Sequence, residues 1–182
     1  MKTLKNILII ALLLIVTQAN AQTDKATTAR IIEAQNYVFV ATMAYPLNVS
    51  DINNIMSRMP GYNGGGAINL NSSNYDLTVT KDSVVSYLPY YGRSFTPKMG
   101  NSFDDNGIKF KSKDFSYKNT VRKKGGWNIT IKTRDVKDSY TLNLQVTETG
   151  YATLTVNSNT QQAITFNGNL AEVKPKKEKN KD

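Results

Sequence analysis

The sequence has no cysteine and no histidine among its 182 residues. Without thiols there is no disulfide framework, thiolate nucleophile, thiolate metal site or lipid-modified cysteine anchor. Without imidazole there is no Ser-His triad, no histidine general base and no zinc site of the usual nitrogen-ligand kind. Catalysis would fall to carboxylates, tyrosine, lysine or a Ser-Lys pair, and no Ser-x-x-Lys stands with a second Lys or Tyr placed to assist it. Long apolar runs are also missing beyond residues 7–16. That run is about ten residues long, half of what a membrane-spanning helix needs.

What is present at the start is a secretory pattern. Lys2 and Lys5 precede the apolar run, and Ala19-Asn20-Ala21 supplies the small-x-small site that signal peptidase reads. The expectation is cleavage after Ala21 and a periplasmic or secreted protein with no transmembrane segment. Residues 22–173 then form one β-rich domain, large enough to hold a core without disulfides.

The formal charge is +9. The two leader lysines and a Lys-rich tail at 174–182 carry over half of it, leaving about +4 on the body, an ordinary solubility charge that does not call for nucleic acid. The tail has nothing apolar to bury and is expected to be disordered, with at most weak contact to an anionic surface.

Along the body, Thr27 or Thr28 is placed to cap a short helix carrying Ile31, Ile32 and Ala34. Tyr37, Phe39, Ala41 and Met43 share one parity in a strand ending at Pro46. Residues 46–66, around Asn63-Gly64-Gly65-Gly66, read as loop; the glycine run lacks the Lys-Ser/Thr of a phosphate loop. From Tyr75 onward apolar residues alternate with Thr, Asn and Lys. The inward sets are Tyr75, Leu77 and Val79; Ile108 and Phe110; Phe115, Tyr117 and Val121; Trp127, Ile129 and Ile131; Tyr140, Leu142, Leu144 and Val146; Ala152, Leu154 and Val156; Ile164, Phe166 and Leu170. Such alternation predicts a mainly β (α+β) domain. It is a curved antiparallel meander or barrel-like sheet of about eight or nine strands with an N-terminal helix.

Five segments together resemble a family of exported Bacteroidetes proteins that share a domain of unknown function numbered 4251. They are Phe39-Val40-Ala41 with Pro46, Tyr87-Leu88-Pro89-Tyr90-Tyr91-Gly92-Arg93, Gly107-Ile108-Lys109-Phe110, Lys123-Lys124-Gly125-Gly126-Trp127 and Gly150-Tyr151-Ala152. The resemblance runs over about residues 28–172, and the central heptapeptide is its most specific part. The insertion at 61–66 and Gln161-Gln162-Ala163-Ile164 depart from the pattern. The resemblance implies an exported β domain and no particular activity.

The heptapeptide is the first candidate site. Pro89 ends a strand or marks an edge, Gly92 allows a turn, and Tyr87, Tyr90, Tyr91 and Arg93 offer flat amphipathic rings and a five-donor cation. These four are the expected ligand-binding residues, or else Tyr87 and Tyr91 are core and Arg93 bonds turn carbonyls. Asp104-Asp105-Asn106 lacks the spaced ligand series of a calcium loop, so no metal and no cofactor is expected. The reading is a non-enzymatic binding or structural protein that takes a small anionic or sugar-like ligand, or an exported protein partner, on the concave sheet. The alternatives are a cofactor-free hydrolase using carboxylates there, or an interaction module pairing through an edge strand.

Overall fold

The computed structural model describes residues 24–47, 57, 66–96 and 107–173. Residues 1–23, most of the Gly-rich segment, Asp104-Asp105 and the Lys-rich tail lie outside the described residues. Among the described residues, one helix, α1 (Lys25–Glu33), precedes ten strands. These are β1 (Tyr37–Pro46), β2 (Ile68–Asn69), β3 (Asp76–Val79), β4 (Val84–Leu88), β5 (Ile108–Ser112), β6 (Phe115–Val121), β7 (Trp127–Thr133), β8 (Tyr140–Val146), β9 (Tyr151–Ser158) and β10 (Ile164–Glu172). Nine follow one path, β5-β4-β3-β1-β10-β9-β8-β7-β6, and the two-residue β2 is added on β1.

The two ends of that path meet. Every one of its eight pairings is antiparallel, so β5 and β6 run in the same direction. Only Lys113 and Asp114 separate them, a connection that reaches about 10 Å at most. β5 and β6 are therefore one kinked strand that pairs with β4 above the kink and with β7 below it, and the sheet is a nearly closed barrel. The kink is pinned from the β7–β8 loop. Asp135 accepts hydrogen bonds from the Ser112 hydroxyl and from the backbone N–H of Lys113 (2.7 Å) and Asp114 (3.1 Å). These bonds hold its carboxyl down at a pKa of about 2.

Alternation places one set of side chains inside. Tyr37, Phe39, Leu77, Leu142, Leu154, Phe166 and Leu170 are fully buried and pack in a single cluster. Each such aliphatic or Phe side chain contributes about 1.5–3 kcal/mol by leaving water. The Tyr37 and Tyr117 hydroxyls come close together inside, and neither has a well-formed hydrogen bond. Burial drives the Tyr37 hydroxyl well above the ordinary phenol range, with Tyr117 adding to the effect. Outside, Thr and Asn bond across strands, as in Thr130 to Asn143 (3.1 Å), Thr153 to Asn167 (3.0 Å) and Thr155 to Thr165 (3.2 Å).

Three local expectations are corrected. The helix is capped by Asp24, whose carboxylate accepts from the N–H and hydroxyl of Thr27, because a carboxylate one turn earlier meets both donors. A bulge between Ala41 and Met43 reverses the parity of β1, so Ala44 and Pro46 are buried and Met43 is not. Val121 is 71% exposed, because the last four residues of β6 run out past the core.

The helix leaves directly into β1 through a tight cap. Gln35 takes φ 50, its N–H donates to Ile32 O, and the Asn36 N–H donates to Ile31 O. Ile31 and Ile32 are then buried against the sheet. Lys25 pairs with Glu148 at 2.7 Å, and Arg30 pairs with Glu172, laying α1 across one end of the barrel.

Candidate functional site

The heptapeptide divides into two halves with different environments. β4 ends at Leu88, one residue before Pro89, which has no N–H to continue the ladder. Beyond it, the Tyr90 hydroxyl donates to the carbonyls of Arg93 (2.7 Å) and Gln162 (3.1 Å). Its ring folds back over Gly92, where a Cβ would stand 2.6 Å from the hydroxyl oxygen and 2.9 Å from Cζ. A side chain at this position would have to push the Tyr90 ring aside and so disturb its two hydrogen bonds. The Phe95 N–H bonds Thr160 O and the Gln162 N–H bonds Arg93 O, so residues 93–95 are stapled to the turn before β10. The Arg93 side chain is exposed. The Tyr90 hydroxyl is thus a donor to this turn, and the Arg93 carbonyl is one of the groups it bonds.

Tyr87 belongs to the other half. Its position in β4 is outward, between the buried Ser86 and Leu88, and it is 41% exposed. Tyr75 stacks on it with ring centroids 5.8 Å apart. The Lys109 ammonium lies 4.7 Å from the Tyr87 centroid, within cation–π range. Tyr91 is half-buried, and its hydroxyl is raised by burial and further by Tyr75 beside it. The register sets Asp76, Tyr87 and Lys109 side by side across β3, β4 and β5.

Asp76 is the residue that the motif did not reveal. Burial raises its carboxyl above the ordinary value, and that is the sole cause. It has no hydrogen-bond or ion-pair partner among the described residues. Sequence reasoning could have found it through register: it alternates with Leu77 and Val79, so it shares the outward face with Tyr87. The structure therefore gathers Tyr87 and Tyr91 around Tyr75 and Asp76, and it separates Tyr90 and the Arg93 backbone into the staple. The concave interior, where the sequence reading set a ligand, is packed with the buried side chains described above. Among the described residues, no three carboxylates gather in a way that could hold a metal ion.

A family model described as a domain of unknown function, DUF4251, matches residues 19–170. The chain belongs to the DUF4251 family. The crystal structure of a DUF4251 family protein from Bacteroides eggerthii is similar over 81% of this chain and 87% of that one, with a TM-score of 0.52 and 16% identity. That likeness concerns the DUF4251 fold. No curated protein matches the chain.

Proposed function

We propose that this DUF4251 protein is exported and non-enzymatic, and that it binds a small sugar-like ligand on its outer wall at Tyr75, Tyr87 and Asp76. The observation that carries the reading is a partly buried carboxylate without a partner, set beside an exposed, stacked tyrosine. The electron-rich ring face that attracts the Lys109 ammonium also attracts the polarised C–H groups of a sugar ring. Asp76 then accepts ligand hydroxyls and recovers the hydrogen bonds that burial denied it. A small anion is disfavoured at the same spot, because Asp76 would repel it. A two-carboxylate hydrolase needs carboxyls that shift one another, whereas burial alone shifts Asp76. The leader at residues 1–21 supports export.

The test is a neutral oligosaccharide array followed by titration calorimetry with the protein, Tyr87→Ala and Asp76→Asn. At least one neutral glycan should bind, and each substitution should weaken it about tenfold or more while the fold persists. If no glycan binds, or Tyr87→Ala binds as well as the parent, the reading fails.

A further inference from the structure

The charge of the body is segregated. Between Lys109 and Lys137 stand ten Lys and Arg against two acids, a net of +8. The remaining described residues carry four against seven, a net of −3. All ten cations are exposed. A whole-body average conceals this arm, which a running window of charge would have revealed.

The fold arranges the arm as a track. Lys109 and Lys111 alternate outward from the buried Ile108 and Ser112. Past the kink, Lys118 points away from the inward Tyr117, and Lys132 of β7 stands opposite Ser116. Cations two residues apart on one face lie about 7 Å from each other along a strand. Lys111, Lys118 and Lys132 have no ion-pair partner among the described residues. The outward neighbours of Lys118 and Lys132 are uncharged hydroxyls and amides: Ser116, Thr120, Asn128 and Thr130.

We infer that the outward face of β5, β6 and β7 is a docking track for a linear acidic polysaccharide. The line of cations complements the regular charges of such a chain, and the Ser, Thr and Asn side chains between them bond its hydroxyls. Nucleic acid fits less well, because the aromatic residues of this arm, Phe110, Phe115, Tyr117 and Trp127, belong to the inward sets and leave no stacking platform along the track. An anionic membrane fits less well, because the lysines lie in a line and the exposed apolar residue here, Val121, sits at its far end. Lys109 touches the Tyr87 cluster, but Lys111, Lys118 and Lys132 lie outside it, so the two readings can be tested separately.

Fluorescence anisotropy with labelled polygalacturonate tests it on the full chain. The triple variant Lys111→Gln, Lys118→Gln, Lys132→Gln should bind at least tenfold more weakly, and the slope of log affinity against log salt should fall by about one for each lysine removed. The same three positions changed to Arg should retain binding, which separates charge loss from misfolding. The control pair Lys25→Gln, Lys81→Gln should bind as the parent does. Unchanged affinity in the triple Gln variant overturns the inference. So does loss of binding on deleting residues 174–182 alone. Tighter binding to oligo(dT), or to phosphatidylcholine vesicles containing phosphatidylglycerol, than to polygalacturonate also overturns it.

Discussion

The ring of Phe110 lies nearly flat on that of Tyr140, with centroids 4.7 Å apart and planes inclined by 16°. The two residues sit on β5 and β8, far apart along the path but only two strands apart around the nearly closed barrel, so the contact ties the β5 half of the kinked strand to the wall beyond β7. Phe110→Ala should destabilise the protein by about 3 kcal/mol, and Phe110→Leu by about 1 kcal/mol, since leucine refills most of the volume but not the stack. Urea denaturation of both variants measures the difference.

Gly168 of β10 lies against the bulge in β1. A Cβ there would be 2.0 Å from the Val40 carbonyl oxygen and 2.9 Å from the Phe39 ring. Backbone cannot step aside as a flexible side chain would. Gly168→Ala is expected to cost about 2–3 kcal/mol or more, seen as a lower denaturation midpoint.

The Asp135 latch makes stability depend on pH. Its folded pKa is about 2, below the usual Asp value of about 3.9. The unfolded chain therefore takes up the proton first as pH falls, and the contribution is complete above the unfolded value and is lost as pH drops toward 2. Asp24 is lowered in the same sense by its bonds to Thr27. Asp135→Asn should remove only its own part, flattening the midpoint-against-pH curve between about pH 5 and pH 2. An identical curve for variant and parent would show that the latch does not form.

Tyr90 and Arg93 should differ in the stability they carry. Tyr90→Phe takes the hydroxyl away from the Gln162 carbonyl and leaves the Arg93 carbonyl with the Gln162 N–H alone, and it is expected to cost about 1 kcal/mol. Arg93→Ala keeps the backbone carbonyl that the Tyr90 hydroxyl bonds, so it is expected to cost less than Tyr90→Phe. Paired urea titrations decide the order.

Asp76 should show stability and binding moving in opposite directions. Its raised folded pKa means that the ionised carboxylate opposes folding at neutral pH, an effect that fades as pH falls through the folded value. Asp76→Asn should thus raise the thermal midpoint at neutral pH and leave it unchanged near pH 3. A lower midpoint at neutral pH would mean that the carboxylate stabilises the fold.

The strands with strict alternation were readable from sequence. Trp127, Ile129 and Ile131 face inward as their period requires, and so do Leu142, Leu144, Leu154 and Val156. The period fails where geometry intervenes. One extra residue at the bulge turns Ala44 inward, and no composition signal at Thr42 announces it. β2 is two residues long, too short for any period to register. The candidate site was half legible. Tyr87 stood out in the motif, whereas Tyr75 and Asp76 became its partners only through the pairing of β3 with β4. The division of the heptapeptide into a staple and a surface cluster depends on residues 160–162, about seventy positions onward, and no local pattern encodes that.

The first strand of this domain finds its longest partner in the last. β1 pairs with β10 from Tyr37↔Glu172 to Pro46↔Ile164. A chain emerging from the ribosome would therefore hold β1 without its main partner until nearly the whole sequence had been made. Local hairpins from β6 to β9 could form early, but the wall joining the two ends could not close before the final segment arrived. Such late closure leaves β1 with an unpaired edge, and the barrel open on that side, until synthesis is nearly finished.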